Sequence, residues 1–187
     1  YVEVPDNNEP ISVTPLYTDV GFWKVFTFRF LHGKPFTQAD IDAKRREVVL
    51  PVSVARKLFA TDDVVGRRFN MDAQEYRVCG VVEDVSAATP SSVGDMWLPI
   101  TLNSWVTSDA TGKLVGSVGI YMTAPDAEDK EALKEEVREV FRKLNLASDK
   151  YMNDLMGQPD DYWASTFRFD SCSAPDLASE LRMYLYM

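Results

Sequence analysis

The apolar positions of this chain change period several times, and each change marks a predicted element. In VGFWKVFTFRFL, residues 20–31, Phe22, Phe26 and Phe30 fall four apart, while Phe26, Phe28 and Phe30 alternate. A short helix running into a strand satisfies both spacings. HGKP, residues 32–35, reads as a turn, and Thr37 as a helix N-cap with Asp40 three residues on. EVVLPV, residues 47–52, is an apolar run of strand length. SVARKLF, residues 53–59, is a short helix for which Ser53 supplies a cap. After the turn ATDDVVG, residues 67–86 read as a hairpin: a strand, a turn near Asp72-Ala73-Gln74, and a longer strand whose valines are interrupted by Gly80.

Further along, MWLPITL (96–102), SVGIYMTA (117–124) and ASTFRFDSC (164–172) are strand candidates, and ISVTP (11–15) is a shorter one. Residues 86–95 and 103–117 are loop by composition. The clearest helix covers 126–146. Asp126 caps it, acids fill its first turn, and Leu133, Val137, Val140, Phe141 and Leu144 form one stripe. Residues 175–187 read as a further helix in a chain that continues. Elements mixed at both ends around a β-rich middle predict an α+β fold.

With 187 residues, 45% of them hydrophobic, the chain can build one sizeable core or two small ones. A net charge of −9 and a pI near 4.6, with no basic run, argue against nucleic acid or anionic lipid headgroups as partners. No apolar run approaches the ~20 residues that span a bilayer. The chain starts at Tyr1 and stops on the apolar slope ELRMYLYM. It therefore reads as a processed product or an excised fragment, its C-terminal end a cut.

The candidate chemistry is thin. His32 is the single histidine, set in the HGKP turn, so any serine or cysteine triad would have to use it; no GxSxG surrounds a serine. Cys79 and Cys172 lie far apart and outside any CxxC; they read as small buried residues that could pair in an oxidising compartment. Asp62-Asp63 and Asp160-Asp161 are adjacent carboxylates, which point apart and suit capping and solvation better than acid–base work. The calcium-loop pattern DxDxDG is absent. Gly66 lacks both GxGxxG and a P-loop lysine-serine pair, and Gly80 inside a strand suggests a bulge or a close backbone approach. No catalytic residue, metal ligand or cofactor is expected. Among the four tryptophans, Trp105, with Tyr162 and Trp163, falls in polar loops and is a candidate partner or ligand surface.

Four blocks in order carry a family resemblance. Gly33, Lys34 and Phe36 match a turn. Val48, Val49, Ala55, Leu58, Phe59, Asp63, Val65, Gly66 and Arg67 match a strand–helix–turn block. Tyr76, Val78, Gly80, Val81, Val82 and Asp84 match a strand, and Trp97, Leu98 and Pro99 an aliphatic-proline strand. Over about residues 16–145 the chain resembles the extracytoplasmic core domain of MacB-like ABC transporter permeases, a group that includes the FtsX-like permeases. It departs from the pattern at Ala60, where the family has glycine, and at Cys79.

The resemblance implies a membrane-proximal, porter-like α/β subdomain from residues 1–36 and 118–187, incomplete at its N-terminus, with an inserted β-rich subdomain at 37–117. Gly33, Gly66 and Gly80 would be structural turns. It implies a non-catalytic domain outside the inner membrane that relays ATP-driven motion of a permease dimer. Its partners would be a second permease subunit, a cytoplasmic ABC ATPase acting through the membrane part, and a periplasmic protein. Two other classes remain: a secreted or periplasmic ligand- or peptide-binding module, which needs an apolar pocket with converging polar groups, and an enzyme, which needs two facing carboxylates with one pKa raised.

Overall fold

The structure, a computed structural model, describes residues 2–4, 7–86, 89, 91–107, 118–147 and 159–161. The chain forms two compact units, Tyr1–Tyr121 and Met122–Met187.

The first unit is built on β5 (Glu47–Pro51), whose five residues are all buried. A strand buried on both faces reads as a continuous apolar run. Its side chains still alternate: Val48 and Leu50 enter one core cluster with Val78, Val81, Met96 and Leu98, while Val49 enters a second with Val82 and Trp97. On the first face lies α3 (Val52–Phe59), which contributes Ala55 and Leu58. The second face is covered by α1 (Phe22–Val25) and α2 (Gln38–Asp42), through Phe22 and Ile41, together with Phe36. The mixed sheet thus sits between helices.

The other described strands are β1 (Val2–Val4), β2 (Asn7–Ile11), β3 (Pro15–Thr18), β4 (Phe30–Gly33), β6 (Arg68–Met71), β7 (Gln74–Val82) and β8 (Met96–Pro99). Their order is β2-β1-β6-β7-β5-β8-β3, with β4 also on β7. The first half of β7 pairs with β6 and its last three residues pair with β4. The expected boundary at 36/37 runs through this one sheet, which takes β1–β4 from one side of it and β5–β8 from the other.

Local chemistry sets the ends. Thr37 and Asp40 form a reciprocal capping box on α2. Burial alone would raise the Asp40 carboxyl, but bonds from the Thr37 hydroxyl and N–H and from Arg45 hold it below the ordinary value. The β6–β7 turn places Asp72 and Ala73 at φ +51 and +59, the pair of left-handed residues a two-residue hairpin needs. Ser53 does not cap α3: the helix starts at Val52, and the cap comes from a distant segment, the Asp84 carboxylate accepting the Ser53 N–H at 3.0 Å. ISVTP does not form one strand, because β2 ends at Ile11 and β3 begins at Pro15. Residues 118–124 of SVGIYMTA are in no strand, for they find no ladder partner among the described residues.

The second unit is described for α5 (Ala127–Ala147) and residues around it. Asp126 accepts the Asp129 N–H at 2.8 Å and caps the helix. Glu131–Lys134, Glu135–Arg138 and Glu139–Arg142 pair at i,i+3 on the solvent side, where such pairs add little. Along its stripe Leu133, Val137 and Phe141 are half-buried, and Val140 and Leu144 are exposed. No described helix is long and apolar enough to cross a membrane.

Two backbone positions generate a paired prediction. Ala60 closes α3 at φ +58, ψ +13, the left-handed conformation that disfavours a Cβ. Gly33 sits at φ +66, and a Cβ there would lie 2.2 Å from the Cys79 carbonyl oxygen. Ala60→Gly is expected to stabilise the chain by about 1 kcal/mol. Gly33→Ala is expected to destabilise it by about 2 kcal/mol or more, strain and collision adding. Urea midpoints check both signs.

Candidate functional site

One concave site stands out in the first unit: a groove of about 590 Å³ beside β3. One wall is β3 itself with Asp19 and Phe22, a second is Ile100, Asn103 and Val106, and a third is the segment Val118–Tyr121. β3 is held in place by two bonds at its start. The Thr14 N–H donates to the Asp95 carboxylate at 2.8 Å, and the Asp95 N–H donates to the Thr14 carbonyl at 3.3 Å. At the other end the Asp19 carboxylate accepts the Phe22 N–H at 2.9 Å and starts α1. A 3₁₀ turn at Ile100–Leu102 follows β8 and leads to α4 (Ser104–Thr107).

Polar side chains line the groove beside apolar ones: Tyr17, Thr18, Asp19, Ser91, Asn103 and Tyr121. Asp19 is the single ionisable carboxylate among its described lining residues, and no described lining residue is basic. Thr18 is buried, and its hydroxyl has no hydrogen-bond partner among the described residues. The neighbouring Tyr17 phenol is raised by burial and then by the Asp72 carboxylate. Tyr121 stacks edge-on against Phe26 with ring centres 5.1 Å apart. With a carboxylate and no described basic residue in its lining, the groove does not suit a phosphate or a polyanion.

Elsewhere the ionisable groups are tied to each other. Glu47 is buried, and its carboxylate accepts three bonds from Arg77, Nε at 3.0 and 3.3 Å to its two oxygens and Nη2 at 2.6 Å. Hydrogen bonding to Glu47 and its charge raise Arg77 in return. The Asp62 carboxylate accepts from Arg56, which holds it below the usual range, and lies 3.7 Å from His32 Nε2. His32 is thus in an ion-pair cluster at the end of β4, with no serine or cysteine nucleophile in it. Cys79 points its thiol at the Val48 carbonyl, 3.3 Å away, and burial pushes it up to about 12. Among the described residues no group of three or more His, Cys, Asp or Glu could hold a metal.

The residues singled out from sequence do not gather in one place. Trp105 lies in α4, next to the groove-lining Val106. Tyr162, Trp163 and Cys172 lie outside the described residues, as do the predicted strand 164–172 and the helix 175–187. Gly33 and Gly80 face each other across the β4–β7 pair. At Gly80 a Cβ would come within 2.8 Å of both the Lys34 carbonyl oxygen and the Phe30 ring, and Gly66 turns at φ +86 into open space. Sequence reasoning missed the groove, because its walls come from four separate segments. A weak signal was present in Pro15, since proline at a strand's first residue marks an edge.

Comparison with known proteins follows the fold. No curated protein matches the chain by sequence. Among solved structures, the extracellular domain of the noncanonic ABC-type transporter YknZ from Gram-positive bacteria is similar, with a TM-score of 0.56 at 16% identity. That match covers 79% of this chain and 72% of that one. A domain of a putative permease protein from Porphyromonas gingivalis gives a TM-score of 0.55 at 20% identity, covering 84% and 73%. Both share the mixed sheet with helices. The profile of the MacB-like periplasmic core domain matches residues 2–140. The chain therefore belongs to the MacB-like periplasmic core domain family and is an extracytoplasmic domain of an ABC transporter permease.

Proposed function

We propose that this domain is non-catalytic and relays the ATP-driven conformational change of a permease dimer to a substrate or partner outside the inner membrane. Family membership carries the reading. The chemistry of the described residues supports it. An acid–base enzyme needs a carboxylate with a raised pKa, whereas Asp40 and Asp62 are both held low. A thiol enzyme needs a thiolate, whereas Cys79 is pushed up to about 12. The first unit instead devotes its interior to packing, which suits a body that moves as a whole. In this reading the domain works with a second permease subunit, with a cytoplasmic ABC ATPase acting through the membrane part, and with a protein outside the membrane. One observation favours a second reading, a ligand- or peptide-binding module: the groove beside β3, whose lining mixes apolar and polar side chains.

The relay is tested in the full-length permease with its ATPase in lipid nanodiscs, spin-labelled at Lys57→Cys on the exposed side of α3. The inter-subunit distance distribution is expected to shift between the nucleotide-free and ATP-bound states. An unchanged distribution in a preparation that hydrolyses ATP overturns the relay. The non-catalytic reading predicts that iodoacetamide at pH 8 modifies Cys79 roughly a thousandfold more slowly in the native chain than in urea, as its raised pKa and burial require. Peptide mapping reads the rate at that residue alone.

A further inference from the structure

Three observations converge on one edge of the first unit. β3 ends the described strand order, paired to β8 on one side only. Its alternate backbone groups on the other side meet no hydrogen-bonding partner among the described residues. A free sheet edge is a template for another strand. Second, Val118–Tyr121 lies across the same groove. Its sequence, with the residues that follow, has the apolar character of a strand, yet it sits in no ladder, and Ile120 is 80% exposed with Val118 at 52%. Third, the Thr18 hydroxyl on the groove side is buried with no partner among the described residues, where buried hydroxyls are normally satisfied.

We infer that Val118–Tyr121 is a strap that closes onto the free edge of β3 as an added strand, filling the groove. The lengths agree, four residues on each side. Tyr121 already has an anchor on Phe26, so closure needs movement mainly of the two exposed residues, Val118 and Ile120, and of Gly119 between them. Closure removes two large apolar side chains from water, and it gives the outward backbone groups of β3 their ladder. The described state is the open one, with the groove accessible. The strap ends at the last residue of the first unit, and the chain passes directly into Met122 of the second. Resting on the relay reading, strap closure would be the step that shuts the groove.

Hydrogen exchange on the 187-residue chain, read by residue-resolved NMR, tests this without nucleotide or membrane, so its failure leaves the relay untouched. The outward amides of β3 are expected to exchange at least about tenfold more slowly in the wild type than in Ile120→Pro, which cannot donate to a ladder at that position. Val118→Pro is expected to act in the same direction. The β5 and β7 amides serve as the control and are expected to keep their protection in both variants. Equal exchange of the β3 amides in wild type and variants overturns the strap. Protection that persists in both proline variants also overturns it, since another segment would then be covering the edge.

Discussion

Everything in the first unit depends on β5 being out of water on both faces. A strand in that position cannot stabilise itself; each face needs its own cover, and the two covers must be held at the right distance. One cover is α3, which follows β5 without a loop, so Leu50 and Leu58 reach the same cluster from adjacent parts of the chain. The other is a group of aromatics gathered from three segments. Trp97 is fully buried at its centre, with Phe28 and Trp23 edge-on at 5.2 and 6.1 Å. Aromatic rings fill such a space with few side-chain torsions to fix, which explains why the densest aromatic stretch in the sequence lies next to the shortest described helices.

The second constraint is the crowding at the β4–β7 contact. β7 must serve β6 with one half and β4 with the other, while β5 keeps its opposite side. The register slips by one residue against β5, between Val48 and Val49, opposite Val78 and Gly80. The residue skipped is Cys79, whose thiol then turns to the Val48 carbonyl. The bulge lets β7 change partners, and Gly80 lets the Lys34 carbonyl and the Phe30 ring close over it. The Glu47–Arg77 pair fixes the other end of the same strand pair, a buried carboxylate answered by a half-exposed guanidinium.

What was legible in the sequence was whatever depends on neighbours along the chain. The Thr37–Asp40 box, the Asp72-Ala73 hairpin turn, the helix-into-strand of the phenylalanine stretch and the capped α5 all rest on spacing within a few residues. What was not legible depends on distant partners. Ser53 resembles a cap, but the cap is Asp84, 31 residues on. Residues 118–124 have the composition of a strand, but a strand is defined by its ladder, and composition cannot supply the partner. The groove was hidden for the same reason: Leu16, Ile100, Val106 and Ile120 have no common period.

The two units also differ in how their described parts are held, and the difference bears on mechanism. In the first, β5, β7 and β8 are joined by pairings between residues far apart in sequence, so loosening any one of them loosens both core clusters. Such a body opens only near its global stability. In the second, α5 is supported along its length by pairs three residues apart, which are weak singly and independent of one another. In the proposed relay, a force applied to the first unit would be passed on with little internal change. Small rearrangement is cheapest where the ladder is missing, at the edge formed by β3 and Val118–Tyr121. The relay proposed for this domain would draw on both properties.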